Sequence, residues 1–297
     1  MTCGVGVAHD FSVSFWGVRG SIGTGGHRFA TVGGNTSCVE IRAGKEVIIL
    51  DGGSGLVQLG HGWVDRDHAT FFFSHYHWDH IQGIPFFTPA YDPNNGFTLY
   101  GPGEHESGLQ ASLVRLMQPP NFPVELSALR ADLDFRSVHP GDVVRIGAVQ
   151  VRAAALRHPQ PCLGYRLTFG TASVVYATDT EATATGILDP SVLELARGAD
   201  LLIHDAQFTD DEYEGRCGPS RHGWGHASVA AACRLARAAR VKQLVLFHHD
   251  PLHDDAMIER LEREARLLVP NAVAAREGMM IALRSAAETT ALQGRAA

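Results

Sequence analysis

Six consecutive residues, His75-Tyr76-His77-Trp78-Asp79-His80, carry three imidazoles and a carboxylate. Imidazole nitrogen suits Zn, Fe and Ni, and the carboxylate adds charge and a hard oxygen donor. No packing argument accounts for four such side chains together, although a single histidine satisfied in a core would be ordinary. His75 and His77 are two residues apart, so at an extended strand end both project to one side. Asp79 and His80 follow as the chain turns into a helix, where they can serve a second ion close by.

The elements that must position this cluster are legible around it. Phe71-Phe72-Phe73-Ser74 reads as an apolar strand that stops abruptly at His75. Three later strands stop in the same way: Val151–Arg157 at His158, Ser173–Ala177 at Thr178-Asp179-Thr180, and Gln243–Phe247 at His248-His249-Asp250. Polar strand ends are commonplace singly, but three in order after H-x-H-x-D-H form a pattern. The strand before His75 begins at Thr70, and alternation and β-forming runs predict further strands beginning at Phe11, Cys38, Val47, Phe97, Leu133, Val143, Tyr165, Asp200 and Gly278. Helical periodicity covers Glu104–Met117, ended by Pro119-Pro120, and also Pro190–Arg197, Ala227–Ala239 and Asp254–Leu268. Strands in long runs with helices between them imply an α/β chain folded as an αββα sandwich, two facing mixed sheets with helices outside. We expect one domain over residues 1–284 and a frayed tail over 285–297. Two long irregular insertions, Ile84–Gly96 with Gln118–Leu126 and Gln207–Gly225, lie beside the motifs and read as functional or mobile loops.

Composition narrows the classes. Of 297 residues, 45% are hydrophobic and 19% charged, which excludes a disordered chain. Twenty-five Lys+Arg against 32 Asp+Glu give a formal charge of −7, so no broad basic face is offered to nucleic acid. No apolar run reaches membrane-spanning length, and Met1–Asp10 lacks the features of a signal peptide. The five cysteines are spread and never paired as C-x-x-C, so we expect reduced thiols and a cytoplasmic location.

With these residues in view, the sequence resembles the metallo-β-lactamase fold superfamily of metallo-hydrolases. Within it, the chain is similar to the phosphodiesterase branch that includes tRNase Z and the cyclic-phosphate and cyclic-nucleotide phosphodiesterases. The matching features run from Trp16-Gly17-Val18-Arg19-Gly20-Ser21 and Gly33–Cys38 through Leu50-Asp51-Gly52-Gly53 and His75–His80. They continue through His158, Tyr176–Thr180, His204-Asp205-Ala206 and Gly225-His226-Ala227-Ser228 to Leu246-Phe247-His248. H-x-H-x-D-H is highly specific for the superfamily, and A-T-D-T with G-H-A-S points to the phosphodiesterase branch.

Carried over by position, the resemblance implies two divalent ions per chain, with Zn favoured by the histidines and Mn or Fe allowed. His75, His77 and His158 would hold one ion, Asp79, His80 and His248 the other, and Asp179 would bridge them. His249 competes with His248 for the last place; His248 is preferred because it directly ends its strand. Asp51 would orient a histidine ligand through its ring N–H. His226, with Asp205 as partner, would serve the leaving group rather than a metal.

The implied enzyme is a metal-dependent phosphodiesterase in which a metal-bridging hydroxide attacks phosphorus. Small phosphodiesters are the expected substrates, with cyclic nucleotides or related cyclic phosphates favoured. The alternatives are a tRNase Z-like RNA 3′-end endonuclease and then a lactamase or thioesterase. A flavodiiron-type oxidoreductase would need an acidic residue where His77 stands. Long nucleic acid is disfavoured as a partner, no membrane is expected, and a homodimer is allowed. Arg19 and Ser21 sit in a glycine-rich loop that could present N–H groups to phosphate, although most of its glycines read as turn residues. Trp78, Phe122, Tyr213 and Trp224 could stack on a ring, while ordinary packing competes for each.

Overall fold

The computed structural model describes residues 10–64, 67–105, 108–182 and 188–284. The tail from 285 onward lies outside the described residues, as does the start of the chain.

The first sheet is built from β1 (Phe11–Gly17), β2 (Cys38–Ala43), β3 (Glu46–Leu50), β4 (His68–Phe72), β5 (Gly96–Gly101) and β6 (Asp132–Ser137) in sequence order. The second runs β7 (Val143–Ile146), β8 (Val149–Leu156), β9 (Cys162–Phe169), β10 (Ala172–Ala177), β11 (Leu201–Asp205), β12 (Gln243–Phe247) and β13 (Ala272–Ala274). A last strand, β14 (Met280–Ala282), returns to the free side of β1, so each sheet has seven strands. Both are mixed. β1, β2 and β3 pair antiparallel and β3 through β6 parallel, while β7 through β10 pair antiparallel and β10 through β13 parallel.

Period-two alternation decides which side chains enter which layer. Phe11, Val13 and Phe15 of β1, Ile48 and Leu50 of β3 and Phe72 of β4 join the large cluster shared with the second sheet. Ile49, Phe71 and Phe73 point the other way, into a separate cluster with α1 (Gly55–His61). The run Phe71-Phe72-Phe73 is continuously apolar because both faces of its strand are covered. Following α2 (Trp78–Ile81), the helix α3 (Leu109–Leu116) adds Leu109 and Leu113 to the second cluster. On the other side, α4 (Pro190–Ala196), α6 (Val229–Ala239) and α7 (Asp255–Leu268) bury Leu195, Leu235 and Leu261 against the second sheet; the short α5 (Asp210–Tyr213) lies between β11 and α6. The helix–sheet–sheet–helix layering is that expected.

Two local readings need correction, and one strand was not expected. The helix expected over Glu104–Met117 is only eight residues, beginning after Gly108. Left-handed backbone at Gly103 and His105 precedes it and is incompatible with a longer helix. The segment Ile84–Gly96, expected to be an irregular functional or mobile loop, is regular and packed. Its two single-turn 3₁₀ helices bury Ile84, Phe87 and Ala90 in the core beneath α1. The strand β13, made of three residues, had no signal of its own.

Candidate metal centre

All the strands that deliver candidate residues end at one edge of the sandwich. β4 leads to His75, β8 to His158, β10 to Asp179, β11 to Asp205 and β12 to His248. β4 closes at Phe72, so His75 and His77 lie on the following loop, and Asp79 and His80 fall in the four-residue helix α2. Asp51, Asp179 and His248, each just past a strand, have φ values of 60°, 53° and 60°. Non-glycine residues rarely occupy this left-handed region, and three together mark a place where side-chain direction outweighs backbone comfort.

The structure brings the seven candidate ligands into two overlapping groups, His75, His77, His158 and Asp179, and Asp79, His80, Asp179 and His248. Asp179 faces both. Its Oδ2 lies 3.5 Å from His75 Nε2, and its Oδ1 lies 3.3 Å from His80 Nε2 and 3.2 Å from His248 Nε2. Thr178 Oγ1 donates to the same Oδ1 at 2.7 Å. Within the groups, His75 Nε2 is 2.8 Å from His77 Nδ1, His158 Nε2 is 3.3 Å from His77 Nδ1, and Asp79 Oδ2 is 3.1 Å from His248 Nε2.

The outer nitrogens explain why the inner ones converge. His80 Nδ1 donates to Asp51 Oδ2 at 2.8 Å, His158 Nδ1 to the Gly225 carbonyl at 3.1 Å, and His248 Nδ1 to Gln207 Oε1 at 3.2 Å. His75 Nδ1 donates to Ser74 Oγ at 3.0 Å, and that hydroxyl passes its own hydrogen to Asp51. Four rings are thereby held with Nδ1 turned outward and Nε2 pointing inward. Imidazole nitrogens then face one another at contact distance beside buried carboxylates, an arrangement that a shared cation would stabilise. The donor set fits divalent metal: three nitrogens and an oxygen in one group, two of each in the other.

Electrostatics agree. Burial pushes His75 well below the ordinary imidazole value, with the His80 charge adding to it, and burial lowers His77 and His158 as well. These are the neutral forms that ligate. Burial would raise Asp79 and Asp179, but the imidazoles of His80 and His248 outweigh it and hold both carboxyls well below their usual range. Burial opposes charge on His80 too, yet Asp179, Asp79 and Asp51 raise it well above normal, the sign of a pocket seeking positive charge.

His249 sits elsewhere. Its Nε2 donates to the Ala275 carbonyl at 3.1 Å, and burial followed by the nearby Arg19 charge lowers it to about 3. Arg19 is fully buried and is a clamp on backbone, donating to the carbonyls of Gly33, Asp250 and His253. The glycine-rich loop bears on the site through Ser21, whose N–H donates to Asp79 Oδ2 at 2.7 Å, and through Gly20, where a Cβ would sit 2.3 Å from the His248 ring.

His226 lies beside these groups and forms a third cluster of metal-competent atoms with Asp179, Asp205 and His248; what sets it apart is its carboxylate partner. Its Nδ1 donates to Asp205 Oδ2 at 2.8 Å, its ring stacks on His248 with centroids 4.9 Å apart, and Asp179 is 3.9 Å away. Burial disfavours the imidazolium, but the Asp205 carboxylate prevails and lifts it to about 9. Asp205 Oδ1 also accepts the Ala227 and Gln207 N–H groups, fixing the turn that carries His226.

Two residues here escaped sequence reasoning. Gln207 aims His248. Glu181 accepts from Tyr213 Oη at 2.7 Å and from the Gly223 and Gly225 amides at 2.8 and 3.0 Å, tying the Gln207–Gly225 insertion to the site. Neither has a spacing signal; each follows a chemistry-bearing aspartate by two residues, which is the faint cue. Among the aromatics, Trp78 is 72% exposed, Trp224 lies under the Arg221 guanidinium at 4.3 Å, Tyr213 packs on His222, and Phe122 packs on Phe86.

Comparison with known proteins bears on this arrangement. A family model described as the beta-lactamase superfamily domain matches residues 58–249. The chain belongs to that superfamily and has the metallo-β-lactamase fold of a hydrolase. It is 27% identical over 269 residues to a ribonuclease Z of Methanopyrus kandleri, spanning 80% of this chain and 88% of that one. The metallo-β-lactamase fold protein YhfI of Bacillus subtilis superposes with a TM-score of 0.68 at 21% identity, over 91% of this chain and 98% of its own. A diphosphatase of the PhnP family superposes with a TM-score of 0.69 at 16% identity, over 93% and 98%. Among the described residues no helix is long and apolar enough to cross a membrane.

Proposed function

We propose that the protein is a binuclear metal-dependent phosphodiesterase acting on small phosphodiesters, with cyclic nucleotides or related cyclic phosphates favoured. One group, His75, His77, His158 and Asp179, would hold one ion, and Asp79, His80, Asp179 and His248 the second; imidazole favours Zn, with Mn or Fe allowed. Two divalent ions, when bound, neutralise phosphate charge and supply the nucleophile at neutral pH.

The observation that carries the reading is the His226–Asp205 pair beside both groups. Because Nδ1 is committed to Asp205, Nε2 is the nitrogen left for substrate. A positively charged donor there suits a developing alkoxide or phosphorane oxygen, and a thioester, whose thiolate leaves readily, has less need of it. Asp205 keeps the proton on the ring until the leaving oxygen takes it.

The rim supports a small substrate over RNA. The 207–225 segment carries Asp210, Asp211, Glu212 and Glu214 against Arg216 and Arg221; Arg216 pairs with Asp211 at 2.6 Å, and Arg221 is stacked on Trp224. Such a rim repels a polyanion but admits a single diester. RNA 3′-end cleavage is the second reading, favoured by the relatives named ribonuclease Z. A substrate panel on metal-loaded protein tests both: cyclic nucleotides, bis-aryl phosphates, pre-tRNA, lactones and β-lactams. Site-specific cleavage of pre-tRNA at moderate salt, with no turnover of small diesters, would reverse the ranking.

A further inference from the structure

A cavity of about 420 Å³ is walled on one side by chain neighbours of the proposed ligands. Tyr76 and Trp78 alternate with His75, His77 and Asp79, and Gln160 and Pro161 follow His158 by two and three residues. The facing wall is α3, with Ser112, Arg115 and Leu116, and Asn121 beyond it. No proposed ligand lines the cavity; Tyr76 and Trp78, alternating with ligands along the chain, are what tie it to the reaction centre.

Its lining is divided in character. Tyr76 is fixed by donating its hydroxyl to the Pro102 carbonyl, and Ile81, Pro102 and Pro161 keep that part apolar. Trp78 stands between two proposed ligands with 72% of its surface in solvent, so it adds little to the core and its indole face is open. At the α3 side, Arg115 donates to Ser112 Oγ at 3.0 Å, which steadies the guanidinium along the cavity wall. An aromatic face with hydrogen-bonding groups opposite, in a volume of this size, is how proteins hold a flat heterocycle. An aliphatic chain would make no use of the polar groups of Asn121 and Gln160.

We propose that this cavity receives the organic part of the phosphodiester and selects a planar heteroaromatic ring such as a nucleobase. Trp78 stacks on the ring, and Arg115 and Asn121 bind acceptors at its edge. The proposal rests on the phosphodiesterase reading for its substrate, but ring binding is measurable without turnover.

The test uses the metal-loaded full chain, with 2′,3′-cyclic AMP as the ring-bearing probe and glycerol 1,2-cyclic phosphate as the probe without a base. Trp78→Ala should raise KM for the first roughly tenfold, the size expected for one lost stacking contact, with kcat little changed and the second probe unaffected. Ser112→Phe, which fills the cavity from α3 and touches no proposed ligand, should reproduce that split. Adenosine, which contains no phosphorus, should quench tryptophan fluorescence in the unsubstituted protein and not in Trp78→Ala. Absence of that quenching, or equal effects of both variants on both diesters, overturns the proposal. Quenching through Trp78 with neither diester hydrolysed upholds the ring site and removes the phosphodiesterase reading instead.

Discussion

Gly225 meets two constraints at once, and they can be separated by experiment. Its φ is +85°, and a Cβ there would lie 2.1 Å from His158 Nδ1 and 2.5 Å from Pro159 Cδ. Ordinary van der Waals contact begins at about 3.4 Å, so Gly225→Ala must drive the His158 ring back by roughly 1.3 Å. Metal–ligand bonds tolerate about 0.2 Å. The same shift breaks the hydrogen bond from His158 Nδ1 to the Gly225 carbonyl, which sets the ring's tautomer. We therefore expect Gly225→Ala to lose the ion held with His75, His77 and Asp179, and turnover to fall by about 10–100-fold or more, the usual cost of losing an orienting partner. Gly223 is the control. Its φ is +81°, its amide donates to the same Glu181 carboxylate at 2.8 Å, and nothing lies within 4 Å of a Cβ placed there. Left-handed strain of about 1–2 kcal/mol is common to both positions, so both variants should lose similar thermal stability. The steric clash belongs to Gly225 alone. Elemental analysis, turnover and Tm on the two purified variants decide the matter. Two ions and near-normal turnover in Gly225→Ala, or equal loss of metal in Gly223→Ala, would refute the reasoning.

Metal-supplemented protein should bind about two ions per chain, and Asp179→Ala should lose nearly all activity because it removes the carboxylate shared by both groups; a stoichiometry at or below one counts against a binuclear centre. His226→Ala should keep both metals yet slow turnover by roughly 10²–10⁴-fold, with a smaller loss for p-nitrophenyl esters that need little protonation. If His226→Ala instead sheds a metal, the residue is a ligand. Asp205 holds His226 up to about 9 against burial, so the acid form, and activity that needs it, is present below that value and fades as pH rises through it. Asp205→Asn should move the alkaline limb of the pH–kcat profile to lower pH; an unmoved limb sinks the assignment of His226 as the proton donor.

The sequence by itself determined the layered fold and the edge at which chemistry sits, because both are written in local pattern. Short, continuously apolar runs at β3, β4, β10 and β12 mark strands covered on both faces, and metal-competent residues where each run stops mark their ends. The cluster His75–His80 needed no tertiary information to stand out. His248 and His249 could not be separated that way, since adjacent residues at a strand end have the same composition and environment on paper. Tertiary structure separates them: left-handed backbone at His248 turns its ring toward Asp79 and Asp179, and His249 is directed to the Ala275 carbonyl. The orienting partners also belong to tertiary structure. Asp51 was expected to orient a histidine, and the fold decides that it serves His80; Gln207 reaches His248 across 41 residues, and Glu181 reaches the Gly223 and Gly225 amides across more than forty, with no such cue. Hydrogen bonds of that kind leave no periodicity, because a carboxylate or amide can serve any donor the fold brings within 3 Å. Arg19 makes the same point in reverse. A cation in a glycine-rich loop suggests phosphate contact, yet the packed chain spends it on three backbone carbonyls that hold the His248 turn in place.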